Sequence, residues 1–107
     1  VLGVQWAVAA LQAPITGGLT QAAQAAARGG WGTALLHQET AQRGWRKAWR
    51  LTAAFADHQP MEDVDSLFAR LPAYGEDAVE FSACCRELAR RVRAVYEAHS
   101  LAWWNLL

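Results

Sequence analysis

The chain has 107 residues, with 10 Lys and Arg balanced by 10 Asp and Glu for a formal net charge of +0, and 53% of its residues are hydrophobic. That length sets an expectation of a single domain over residues 1–107 with a real core, near the size at which a partner often completes the fold. The balanced charge excludes a disordered polycation. The abundance of Ala and the absence of strand-length alternation favour helices over sheet, so the expected class is all-α, a small bundle of about five helices.

In chain order, the first expected helix covers about residues 1–13, where Val1, Val4, Val8, Leu11 and then Ile15 recur at spacings of three and four as one apolar stripe. Nothing charged covers its other side. The stretch has no basic flank of a secretory leader, and ending at Pro14 it is shorter than the roughly 20 residues of a bilayer span. "PITGG" at 14–18 reads as a break, followed by an Ala-rich second helix over about 19–28 with Leu19, Ala22, Ala23 and Ala26 on one face. "RGGWGT" lacks the phosphate-loop Lys and the dinucleotide Gly pattern, and reads as a helix end.

A third helix, about 33–58, contains Gly44, which costs about 1 kcal/mol relative to Ala and marks an expected kink. The fourth is expected to begin after Pro60, with Glu62, Asp63 and Asp65 complementing the positive end of its dipole. The fifth, about 76–104, repeats Phe81, Cys85, Leu88, Val92, Val95, His99 and Ala102 at spacings of four, three, four, three. His99 on that face reads as a core histidine. Cys84 and Cys85 are neighbours on a helix, where side chains diverge by about 100° and form no ordinary bridge, so the chain reads as reduced and cytoplasmic.

Charge is segregated along the chain. "RGWRKAWR" at 43–50 interleaves four cations with two tryptophans, and residues 57–80 are acidic apart from Arg70. At about 100° per residue, Arg43, Arg46, Lys47 and Arg50 fall on one arc, whereas Trp45 and Trp49, with Ala41, Ala48, Thr52, Phe55 and Ala56, fall on the opposite one. The tryptophans therefore face the core and the cations face out. The same construction sets Arg86, Arg90 and Arg93 opposite Leu88, Val92 and Val95, with Arg91 at the flank. Two long helices presenting cation rows suit a phosphate backbone, provided that the rows point into one groove. The alternative for the same rows is a solvated face or an acidic protein surface.

Neither the Cys nor the His spacing fits a zinc site, "MEDVDS" lacks the Gly and terminal Glu of a calcium loop, and no nucleophile motif occurs. No enzyme, metal or cofactor is expected. At the chain's end Trp103 and Trp104 point about 100° apart, so both do not enter one core. With Val1, Val4, Val8 and Leu11 they are expected to bury against a partner chain, other protein subunits or copies of itself. In size, helical makeup and basic stripes such as "RGWRKAWR" and "CCRELARRVR" the chain resembles the small helical subunits of CRISPR effector ribonucleoproteins. That resemblance implies contact with RNA or single-stranded DNA backbone within a multi-subunit complex. The rival expectation is a protein–protein module with no nucleic-acid contact; a membrane-surface helix is disfavoured because the Trp face is needed for the core.

Overall fold

The computed structural model describes residues 2–52, 58–75 and 77–106, with side chains described for 12–50, 60–75 and 77–97. Four α-helices run in chain order: α1 (Leu2–Ala27), α2 (Trp31–Thr52), α3 (His58–Arg70) and α4 (Ala78–Leu106), with a 3₁₀ turn at Leu71–Tyr74 between the last two. No strand occurs among the described residues. The all-α expectation holds, with four helices where about five were expected.

The missing break is at Pro14. The two expected N-terminal helices are one, α1, which runs through Pro14, Gly17 and Gly18. A helix-interior proline costs about 3 kcal/mol. Burying Ile15 and Leu19 completely returns about 1.5–3 kcal/mol each, enough to offset it. Beyond them Ala22, Ala23, Ala25 and Ala26 are also buried, because α1 lies between α2 and α4 and packs on both.

Glycine here serves contact rather than breakage. A Cβ added at Gly18 would stand 3.3 Å from Ala41 Cβ, and one added at Gly44 would stand 3.2 Å from Ile15 Cγ1. Gly18 and Gly44 thus let the backbones of α1 and α2 approach where Ile15 and Ala41 cross. Gly44 is no hinge, since α2 continues through it as α-helix to Thr52.

The helix ends follow capping chemistry. Gly29 takes φ 79°, and the Gly30 N–H donates to Ala25 O at 2.8 Å while the Gly29 N–H donates to Ala26 O at 3.0 Å, a Schellman closure of α1. The Gly30 carbonyl then accepts the first bond of α2, from Ala34 N at 2.9 Å. Pro60 lies within the first turn of α3, where its absent N–H has no intrahelical partner to lose. Because α3 begins at His58, Glu62, Asp63 and Asp65 stand beyond its first turn and are not the dipole partners expected. Asp77 caps α4: its Oδ1 accepts from Glu80 N at 3.2 Å and its carbonyl from Phe81 N at 2.9 Å.

The core forms where the three long helices meet. Trp45, Phe81, Leu88 and Val92 are buried, and α3 adds Met61, Val64 and Phe68, packing chiefly on α4. Trp31, at the start of α2, meets Phe81, at the start of α4, edge to face at 4.8 Å between ring centres. The whole measures 47 × 23 × 18 Å. The 29 residues of α4, at about 1.5 Å each, span nearly all of the long axis.

Candidate nucleic-acid interface

On α2 the helical angle sorts side chains as the sequence does. Ala41, Trp45 and Ala48 are buried, with Trp45 only 1% exposed, and Trp49 is half-buried against the core with its ring 5.9 Å from that of Trp45, edge to face. The Trp45 ring is therefore not offered for base stacking, whereas the half-buried Trp49 borders a surface depression with Arg46, Arg50 and Asp65. Thr52, Phe55 and Ala56, expected on the same face, lie outside the residues whose side chains are described.

Arg43, Arg46, Lys47 and Arg50 are all exposed. None of the four makes an ion pair with another described residue; Arg43 Nη2 donates to the Thr40 hydroxyl at 3.4 Å. The row extends about 10 Å along the helix, seven residues at about 1.5 Å of rise. Asp65 of α3 shares a depression with Arg46, Trp49 and Arg50.

The second row differs. Arg86, Arg90, Arg91 and Arg93 are exposed, but Glu87 bridges Arg90 and Arg91, and Arg91 Nη1 also lies 3.9 Å from Asp63 of α3. The Arg90 and Arg91 hydrogen bonds hold the Glu87 carboxyl below its usual range. Two of the four cations are therefore partly engaged within the molecule. Arg86 and Arg93 make no ion pair with a described residue.

The two rows do not meet in one groove. Arg46 and Arg50 border a depression shared with α3, whereas Arg86, Arg90 and Arg93 border one between α1 and α4, and Arg91 sits with Asp63 and Arg70 in a third. The cause is α1, which packs between α2 and α4 and carries their outer faces in different directions.

Sequence reasoning missed the α1 wall of the second depression. Thr20, Gln24 and Ala27 align at spacings of four and three already within the expected helix over about 19–28, but only the packing of α1 on α4 sets that line opposite the arginines. The expected partner surface falls elsewhere: Val1, and the side chains of Val4, Val8, Leu11, Trp103 and Trp104, lie outside the described residues, as do those of His99 and Ala102.

Both cysteines are free and buried. Burial pushes both thiols up, that of Cys85 to about 12, so neither is a thiolate at neutral pH. Among the described residues no three His, Cys, Asp or Glu side chains are grouped to hold a metal, and no helix is long and apolar enough to cross a membrane.

The chain belongs to the family described as Domain of unknown function (DUF4363), whose model matches residues 4–106. That match carries no activity or partner and no link to CRISPR effector complexes. No curated protein and no solved structure matches the chain.

Proposed function

We propose that this DUF4363 chain is a non-catalytic helical subunit of a cytoplasmic multi-protein nucleoprotein assembly, and that it holds nucleic-acid backbone, RNA or single-stranded DNA, on the outer face of α2. One observation carries the reading: Arg43, Arg46, Lys47 and Arg50 stand exposed in a row above a buried Trp45, with no ion pair to any described residue. A row of about 10 Å spans roughly three phosphates of one strand, taken at about 3.4 Å of axis per phosphate. The contact is chiefly electrostatic and blind to sequence, because Trp45 is committed to the core and Trp49 is half-buried against it. The α4 row is not part of this surface, since it borders a different depression and Glu87 holds Arg90 and Arg91. A subunit of this kind is what the likeness to the small subunits of CRISPR effectors implies, and the α2 row is the part of that likeness that has a geometric footing.

Binding of 20-nucleotide RNA, single-stranded DNA and duplex, followed by anisotropy over a salt series, tests the proposal. Three phosphate contacts on a single strand give a log–log salt slope of about −2. The triple variant Arg43→Glu, Lys47→Glu, Arg50→Glu is expected to bind at least tenfold more weakly with an unchanged far-ultraviolet circular dichroism spectrum. Unchanged affinity in that variant, or a salt-independent complex, overturns the proposal. Binding to an acidic polypeptide but to none of the nucleic acids would assign the row to a protein partner instead.

A further inference from the structure

Between α1 and α4 runs an open groove of about 560 Å³ lined by those two helices alone. Its floor is small and apolar: Ala23, Cys85 and Ala89 are buried there, and the Ser82 hydroxyl donates across it to Ala23 O at 3.3 Å, closing α4 onto α1. The two walls differ in charge. The α1 wall, Thr20, Gln24 and Ala27, is neutral, whereas the α4 wall is Arg86, Arg90 and Arg93.

The dimensions select the shape of an occupant. From Leu19 to Ala27 the α1 wall is about 12 Å long, and from Arg86 to Arg93 the arginine wall is about 10 Å, at about 1.5 Å of rise per residue. Two to three turns of helix fill that length, and a floor of Ala23, Cys85 and Ala89, with Leu19 at one end, lets a third helix settle at the usual interaxial distance of about 8–10 Å. The charges select its chemistry. A phosphate strand would leave the apolar floor unused and find cations on one side only, but an amphipathic helix uses the floor with its apolar stripe and the arginines with one flank. The arginine spacing of four then three repeats on any helix laid alongside, so matching carboxylates stand at i, i+4 and i+7 or the reverse order.

We propose that the α1–α4 groove docks a short amphipathic helix of a partner protein, apolar on the face that meets Ala23 and Ala89 and carrying a row of carboxylates along the edge that meets Arg86, Arg90 and Arg93. Arg86 and Arg93, which have no ion pair with a described residue, are the main anchors, and Glu87 orients Arg90 between them. The neutral α1 wall makes the site one-sided, so charge fixes which flank of the partner helix faces α4. This surface is separate from the α2 row and does not rest on nucleic-acid binding.

The probe is a labelled 14-residue helical peptide with an Ala and Leu stripe and three Glu at spacings of four and three, beside the same peptide with Lys in place of Glu. Anisotropy at low salt and amide chemical-shift mapping on the full chain read binding and its location. The expected result is binding of the Glu peptide with shifts confined to the facing surfaces of α1 and α4, and no binding of the Lys peptide. Arg86→Glu with Arg93→Glu should weaken the Glu peptide at least tenfold and admit the Lys peptide. Gln24→Trp, an exposed change that fills the groove without touching the core, should block the Glu peptide, and the triple α2 variant should bind it normally. Equal binding of the two peptides, binding of neither, or shifts that map to α2 overturn the proposal.

Discussion

The α1–α2 crossing can be measured by a pair of neighbouring glycines that differ only in what lies above them. A Cβ at Gly17 meets nothing within 4 Å, whereas one at Gly18 stands 3.3 Å from Ala41 Cβ and 3.6 Å from the His37 carbonyl oxygen. Both residues lie inside α1, so replacing either by Ala brings the same gain of about 1 kcal/mol in helix propensity. At Gly17 that gain should appear in full. At Gly18 it is opposed, because carbon atoms prefer a separation of about 3.5–4.0 Å and the helices must part by a few tenths of an ångström. Ala at 18 should therefore be close to neutral. With Leu the contrast widens: Gly17→Leu keeps most of the propensity gain, and Gly18→Leu adds an overpacking cost of about 1–3 kcal/mol. Urea titrations followed at 222 nm on the four variants give the two differences directly, and 1 kcal/mol corresponds to a shift in Tm of about 4–8 °C for a chain near this size. Ala41→Gly should restore Gly18→Ala, a coupling of at least about 0.5 kcal/mol. Equal stabilities for Gly17→Leu and Gly18→Leu would mean that α1 and α2 do not cross at Ala41.

Two further outcomes test the core. Trp45→Ala should cost about 3–5 kcal/mol, and Trp49→Ala, from a half-buried site, clearly less; equal losses in chemical denaturation would refute the assignment of Trp45 to the centre. Burial raises Cys85 and Tyr96 to about 12 each, so above about pH 9 the unfolded chain loses these protons before the folded one does. Their contribution is complete below that pH and is lost as pH rises toward 12; the urea midpoint should fall across this range, less in Cys85→Ala with Tyr96→Phe, and a midpoint that rises would contradict the burial of both groups.

How far the sequence could be read depended on whether the deciding interaction was local. The four-three repeat from Phe81 to Val95 and the split of α2 into a tryptophan arc and a cation arc are properties of one helix, and both appear in the structure. Pro14, Gly17 and Gly18 misled because their cost is local whereas the burial that offsets it comes from helices far along the chain. Gly44 misled for the same reason, its role being set by Ile15. Most important for function, helical period fixes the angle of a side chain about its own axis but not the placement of that axis around a neighbour. That the α2 and α4 rows diverge, and that Thr20 and Gln24 become the opposite wall to Arg86, Arg90 and Arg93, follows only from α1 lying between the two cationic helices.

The central position of α1 also orders the acquisition of structure. Its pairing with α2 joins consecutive segments through the Gly29–Gly30 turn, a contact that needs little chain closure. Its pairing with α4 joins groups such as Ser82 and Ala23, 59 residues apart, which must wait for α2 and α3 to be gathered in between. The α1–α2 hairpin is thus expected to form early and α4 to dock late, so in native-state hydrogen exchange the groove with its arginine wall should be the first part of the molecule to open.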